Sequence, residues 1–322
     1  MISLVTGATG FVGSWLCEYL LTKKNMEVHG LKRWRSPMEN INQIAGKDGL
    51  KLHDGDLRDA VGVNKVIKKV KPDYIFHIAA QSFVPYSFDN PHETITTNIN
   101  GTINLLESIK ENKLNPRIVV TTSSEVYGQV TKEDLPITED CPFRPQSPYG
   151  VSKAGEDLIA YQYHCSYNMN IIRARLFTHS GPRRGDAFFE SSFAKQIAMI
   201  ELGLQKPVIK VGNLSSIRTF LDIRDAVKAY WLLATKCPAG EVYNIGGDAH
   251  MSVGDYLKEM MNMSSMKDKI KVIVDPSLLR PSDVTLQIPS SEKFRKATGW
   301  KPKYSYLDTL RSLLDYWRAK TK

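Results

Sequence analysis

Two side chains of this 322-residue sequence are suited to moving a proton together: Tyr149 and Lys153, in Ser147-Pro148-Tyr149-Gly150-Val151-Ser152-Lys153. Residues four apart on a helix share a face, so both can project into one cleft. An ammonium beside a phenol favours the phenolate, which predicts a lowered tyrosine pKa and a base usable near neutral pH. A second group of this kind is Ser123-Ser124-Glu125, where a hydroxyl and a carboxylate two residues apart supply a hydrogen-bond donor and a general base.

A third stretch, Gly7-Ala8-Thr9-Gly10-Phe11-Val12-Gly13, does no chemistry of its own but can hold a cofactor. It lies between a short apolar run (residues 2–6) and an amphipathic segment (residues 14–24). Glycines there allow a tight turn and close backbone approach, and a helix N-terminus receives a pyrophosphate. After the next strand pattern come Lys32-Arg33-Trp34-Arg35-Ser36, with no carboxylate for a ribose 2′-hydroxyl. Arg33 and Arg35 suit a 2′-phosphate, so NADP is favoured; NAD remains possible if an arginine merely stacks on adenine.

The elements that must carry these groups follow from periodicity. Strand patterns cover residues 27–31, 50–53, 74–78, 117–122 and 171–177, and helical patterns cover 60–70, 91–112 and 149–167. This alternation predicts an α/β fold of Rossmann type, a doubly wound parallel sheet with right-handed crossovers and ligands at the carboxyl ends of its strands. From about residue 183 the pattern changes to shorter strands and proline-bounded loops. Residues 1–180 are therefore expected to form the dinucleotide-binding domain, joined by later crossing segments at about 213–248. Residues 181–322 are expected to form a smaller α+β substrate domain.

Composition narrows the class. Hydrophobic residues at 42% and charged residues at 24% are those of a globular protein. No apolar run approaches the roughly 18–20 residues that span a bilayer, so no membrane partner is expected. Cys17, Cys141, Cys165 and Cys237 are widely spaced, which fits a reducing cytoplasm, and neither they nor the seven histidines show metal-ligand spacing. The N-terminus enters the glycine turn at once, without a signal-peptide layout, which again predicts the cytoplasm. The net charge of +9 comes from scattered lysines and arginines, with no nucleic-acid module; it suits attraction of an anionic small molecule.

Taken together, Gly7-x-x-Gly10-x-x-Gly13, Asp56-Leu57, Asn98-x-Asn100-Gly101-Thr102, Ser123-Ser124-Glu125, Tyr149-x-x-x-Lys153 and Arg280-Pro281 resemble the extended short-chain dehydrogenase/reductase superfamily over essentially the whole chain. Within it, Gly181-Pro182-Arg183-Arg184-Gly185 looks like the GDP-mannose 4,6-dehydratases. Arg218-x-Phe220-x-Asp222-x-Arg224-Asp225 looks more like the related GDP-4-keto-6-deoxymannose reductases. The chain departs from the dehydratases at Thr178 and Ser192, where they carry Asn and Lys, and at Ser123, where they carry threonine.

The resemblance implies a lyase that removes water from a GDP-linked manno-configured hexose or heptose and stores a hydride on tightly bound NAD(P), without a metal. An NADPH-dependent reductase of the 4-keto sugar is the alternative, and a 4-epimerase a more distant one. Ser123, Glu125, Tyr149 and Lys153 take the catalytic roles. Cofactor contacts fall to Gly7, Thr9, Gly10, Phe11, Val12, Gly13, Arg33, Arg35, Asp56 and Leu57. Further along they fall to Ala79, Ala80, Gln81, Asn98, Thr121, Leu176, His179 and Arg184. Substrate contacts fall to Ser82, Ser124, Glu125, Thr178, Lys195, Val211, Arg218, Arg280 and Asp283. A homodimer or homotetramer is implied, with residues 91–112 and 149–167 as the contact helices.

Overall fold

The computed structural model describes residues 1–44 and 50–322. Its first strand, β1 (Ile2–Thr6), is buried over its last four residues, as a strand covered on both faces must be. Gly7, at a φ of 72°, turns the chain into α1 (Phe11–Leu21). That helix buries Leu16, Cys17 and Leu20; each leucine contributes about 1.5–3 kcal/mol. The chain continues through β2 (Glu27–Lys32), β3 (Leu50–Asp54), α2 (Ala60–Val70) and β4 (Tyr74–His77). Next come α3 (Val84–Asp89), α4 (Pro91–Ile95), α5 (Gly101–Glu111), β5 (Arg117–Ser123), α6 (Pro148–Tyr167) and β6 (Ile171–Leu176).

The later half supplies β7 (His179–Ser180), α7 (Phe189–Glu201), β8 (Val208–Val211), β9 (Ile217–Asp222), α8 (Ile223–Lys236) and β10 (Val242–Ile245). It ends with β11 (Ala249–Ser252), α9 (Val253–Asn262), β12 (Lys271–Val274), β13 (Leu286–Gln287), α10 (Glu292–Thr298) and α11 (Tyr306–Lys320).

Among the described residues the main sheet has seven parallel strands in the order β10-β6-β5-β4-β1-β2-β3. The order reverses between β1 and β4, which opens a crevice at their carboxyl ends where a ligand binds in such sheets. One face of the sheet packs on α1 and α8, through Leu16, Leu20, Ala226, Tyr230 and Leu233. The other packs on α2, α5 and α6, through Val66, Ile67, Leu105, Ile109 and Ala160.

Of residues 213–248, expected to cross back to the sheet, α8 and β10 do so. β9 instead joins β7, β11 and β13 in a separate small sheet. Around it α7, α9 and α11 form the core of the second lobe, with Phe193, Phe220, Tyr256, Leu313 and Trp317 buried.

Two local features place the chemistry. Helix α6 begins at Ser147, whose hydroxyl accepts the Gly150 N–H at 3.0 Å, with Pro148 in the first helical position. Such a cap contributes about 1 kcal/mol. The helix is then tied to β6 by the fully buried Asp157, which accepts from Arg173 Nη1 and Arg175 Nε, both at 2.8 Å. The single helical pattern over residues 91–112 is realised as α4 and α5 joined by a π-helical turn, Thr96–Asn100. Insertions of this kind accompany functional sites; this one carries the fully buried Asn98.

Candidate active site

The crevice is one continuous cavity of about 1520 Å³ running from the glycine turn, across the ends of β4, β5 and β6, to the second lobe. Its first section is a cradle. A Cβ on Gly7 would lie 3.0 Å from Ala79 Cα, and one on Gly13 would overlap the Gly7 carbonyl. Bare backbone is therefore required at both positions, and Gly10 caps α1 without a side-chain partner. Thr9, Phe11 and Val12 line the same section. These observations fit the pyrophosphate of a nicotinamide dinucleotide.

Beyond the cradle, Arg33, Asp56 and Leu57 line the wall, with Arg58 and Asn40 in addition. Asp56 accepts from Arg58 at 2.7 Å, and that contact holds its pKa below the usual range. Arg35 departs from expectation: it does not line the cavity, because its guanidinium lies over the exposed Trp34 ring, 4.5 Å from the centroid. Asn98 also stays out of the cavity. Its Nδ2 donates to Ser152 Oγ at 2.8 Å and to the Gln81 carbonyl at 3.0 Å, while its Oδ1 accepts the Gln81 N–H at 2.8 Å. It thus shapes the cofactor wall formed by Ala79, Ala80 and Gln81 and does not itself line the cleft.

At the centre stand the groups with chemistry. Ser123, Glu125, Tyr149 and Lys153 all line the cavity, together with Thr121 and Leu176. Lys153 Nζ donates to the Thr121 carbonyl at 2.9 Å, which fixes it on the end of β5. Ser123 accepts the Glu125 N–H at 3.2 Å and caps the short turn that aims the carboxylate. Burial pushes the Glu125 carboxyl up; Arg218 and Arg280 partly offset this. The result is a base nearer neutrality than an ordinary carboxylate.

The pKa of Tyr149 is raised, against the expectation from its lysine partner. Burial dominates, Lys153 and a hydrogen bond from Ser123 pull it down, and Glu156 and Glu125 push it up. A helical spacing of four conveys the lysine's pull but not the loss of water around the phenol. Tyr230 of α8 lines the same end and was not among the expected residues. A tyrosine in an apolar helix gives no sequence signal that its hydroxyl ends in a cleft.

The far section belongs to the second lobe. Ser82, Ser124, Thr178, Lys195, Val211, Arg218, Arg280 and Asp283 all reach it. Asp283 is its hub: Oδ1 accepts from Arg218 Nη2 at 3.1 Å and Arg280 Nη1 at 3.4 Å, and Oδ2 from Asn213 Nδ2 at 3.0 Å. Two forked guanidinium groups held side by side suit a diphosphate. Where the two lobes meet, His179 stacks on Phe11 at 6.0 Å and burial pushes its pKa down to about 4, so its ring is neutral. Arg184 lies over Phe188 at 4.1 Å. Among the described residues no group of three or more histidine, cysteine or acidic side chains could hold a metal.

Comparison with known proteins gives a consistent picture. A family model described as GDP-mannose 4,6 dehydratase matches residues 4–313. The GDP-6-deoxy-D-mannose reductase of Pseudomonas aeruginosa is 30% identical, covering 99% of this chain and 97% of its own. The GDP-mannose 4,6-dehydratase of Yersinia enterocolitica is 32% identical, covering 93% of this chain and 89% of its own. Among solved structures, RMD from Pseudomonas aeruginosa complexed with NADPH superposes with a TM-score of 0.83 at 29% identity, covering 99% of both chains.

Proposed function

The chain belongs to the GDP-mannose 4,6-dehydratase family, and on that footing we propose that it is a nucleotide-sugar 4,6-dehydratase acting on a GDP-linked manno-configured sugar. The observation that carries this reading is Glu125. A carboxylate with a raised pKa lines the same cavity as Tyr149 and Lys153, next to the arginine pair that suits a diphosphate. Redox chemistry at C4 alone needs Tyr149 and Lys153; loss of water across C5 and C6 needs a further acid/base.

In this mechanism Tyr149 takes the proton of the C4 hydroxyl, and Lys153 holds the nicotinamide ribose and favours the phenolate. Ser123 donates a hydrogen bond to the C4 oxygen as charge develops there. A bound nicotinamide dinucleotide would supply the hydride acceptor for C4 and the hydride donor for C6, so none would be consumed. Glu125 removes the C5 proton, made acidic by the 4-ketone, and protonates the departing C6 hydroxyl. A proton equivalent to the one Tyr149 took is returned at C5 as C6 is reduced, so the sum is the sugar converted to its 4-keto-6-deoxy form plus one water.

The cofactor is NADP in this reading. Arg33 stands beyond β2 facing the cavity, and no carboxylate occupies the end of that strand. Arg33→Ala is expected to weaken NADPH binding at least tenfold in a fluorescence titration while NADH binding changes less than threefold; equal losses for both would speak against it. The enzyme works in the cytoplasm as a homodimer or homotetramer, and α6 offers an apolar contact face with Val151, Leu158 and Tyr161 exposed.

The reductase reading has its own support, since the P. aeruginosa reductase matches over 99% of the chain. Incubation of the purified protein with GDP-mannose and no added cofactor separates the two. A dehydratase yields a product lighter by one water. Turnover only with a 4-keto sugar and stoichiometric NADPH would leave the reductase standing.

A further inference from the structure

Lys153 has a buried neighbour that the Tyr149-x-x-x-Lys153 pattern does not contain. Glu156, three residues further along α6, is fully buried, and its Oε2 lies 2.7 Å from Lys153 Nζ. Its Oε1 lies 3.1 Å from Thr102 Oγ1 and 3.8 Å from His77 Nε2. His77 is itself engaged, with Nε2 2.9 Å from Thr102 Oγ1 and Nδ1 3.0 Å from Thr6 Oγ1. Burial pushes that imidazole down to about 3, so it is neutral. Burial pushes the Glu156 carboxyl up, and Lys153, with a hydrogen bond from Thr102, pulls it back down; Lys153 is therefore the counter-charge on which a buried carboxylate at Glu156 depends.

We propose that Glu156 is a positioning residue that sets the working pH of the Tyr149–Lys153 pair: its buried carboxylate anchors the Lys153 ammonium and keeps a fixed negative charge near both groups. This rests on Tyr149 exchanging a proton with the C4 oxygen, as base in the dehydratase reading and as acid in the reductase reading. Burial alone would push the Lys153 ammonium down; Glu156 and Tyr149 together outweigh it, so its pKa is raised.

The sign of the effect follows from counting charges. With Glu156 ionised, Tyr149, Lys153 and Glu156 are neutral as a set before the first proton leaves and carry one net negative charge after it. Without that charge the same step runs from one net positive charge to neutrality, which a site of low dielectric favours. The first proton then leaves at lower pH, by about one unit or more for a charge this close.

The surrounding groups leave this arithmetic intact. Asp157 on the same helix is neutralised by Arg173 and Arg175 of β6, and Glu125 faces Arg218 and Arg280. Arg117 of β5 is taken up by the Ala234 carbonyl at 3.1 Å. Burial keeps Tyr230 of α8 a neutral phenol. On α5, Glu107 and Lys110 pair at 2.5 Å and Glu111 is exposed. On α3 and α4, Tyr86 pairs with Glu93 at 2.6 Å, and Asp89 and His92 are exposed.

The test uses the holoenzyme. In Glu156→Gln the acid limb of the pH–rate profile is expected to move down by about one unit or more, with the plateau rate far less affected. The assay is GDP-mannose turnover; in 4-keto-sugar reduction with NADPH, where Tyr149 gives up its proton, the alkaline limb is the one expected to move down. An unmoved limb, whether or not the plateau falls, would overturn the proposal, because a merely structural glutamate changes rate without moving the limb.

A second measurement needs neither turnover nor folding of that variant. Lys153→Met removes the counter-charge, so Glu156 should take up a proton. Infrared difference spectra of Lys153→Met against wild type at neutral pH should then show a new neutral-carboxyl band. Its absence would likewise overturn the proposal. Failure of the Tyr149 assignment is distinguishable, since it would show as retained activity in Tyr149→Phe.

Discussion

Tyr149→Phe is expected to lower the single-turnover rate of hydride transfer roughly 10²- to 10⁴-fold, the usual range for a positioned base, while NADPH affinity stays within about threefold. The split follows from the position of the ring. Tyr149 is 9% exposed, and its backbone N–H donates to Ser87 Oγ at 3.2 Å, so phenylalanine keeps both the packing and the helix start. What is lost is the hydroxyl that shares a cavity with Lys153 and Ser123. The measurement is rapid-mixing absorbance of the reduced nicotinamide, with cofactor affinity from fluorescence. A variant that retained a tenth of the wild-type rate would remove Tyr149 from the role of base.

Glu125→Gln is the second substitution with a large expected effect, and its value lies in where the reaction stops. The first half, proton loss to Tyr149 and hydride loss from C4, does not involve the carboxylate. The variant should therefore reduce the bound cofactor with GDP-mannose and then stall, with dehydrated product falling roughly 10²- to 10⁴-fold. Exchange of the C5 hydrogen with deuterated solvent, followed by mass spectrometry, should disappear in parallel. The amide retains the size of the side chain, and burial already disfavours the charged form, so folding should tolerate the change. If the protein is a reductase, the same variant would still reduce a 4-keto sugar at close to the wild-type rate. Unimpaired dehydration in Glu125→Gln would leave the carboxylate without a task.

Much of the cofactor half was legible in the chain itself, because its signals are local. Gly7, Gly10 and Gly13 are set by what a tight turn and a close approach permit, and the turn sits directly between β1 and α1. Alternating short apolar runs and amphipathic segments specify parallel strands and covering helices, since each pattern reports which faces must be dry. Tyr149 and Lys153 meet because one helix spaces them, and Ser123 and Glu125 because one strand end does.

The remainder depended on contacts between distant segments. Arg35 has the same charge as Arg33 and stands two residues away, yet Trp34 holds it out of the cavity that Arg33 lines. Asn98 was expected on the cofactor and is instead turned by a π-helical turn toward Gln81 and Ser152. The stretch 213–248 divides between a small sheet and the main one, a choice made by strand partners that share no local signal. Glu156 reads in sequence as an ordinary helical glutamate, but packing of α6 on β5 and α5 leaves it dry beside Lys153.

The sequence by itself therefore determined that the chain builds a dinucleotide cradle and presents a tyrosine and a lysine on one helical face. Only the tertiary structure decided which way the phenol's acidity moves. That direction is the sum of lost hydration and the charges of Lys153, Ser123, Glu125 and Glu156, brought together from β5, its following turn and α6. Desolvation is a property of everything packed around a group, so no spacing along a single helix can encode it.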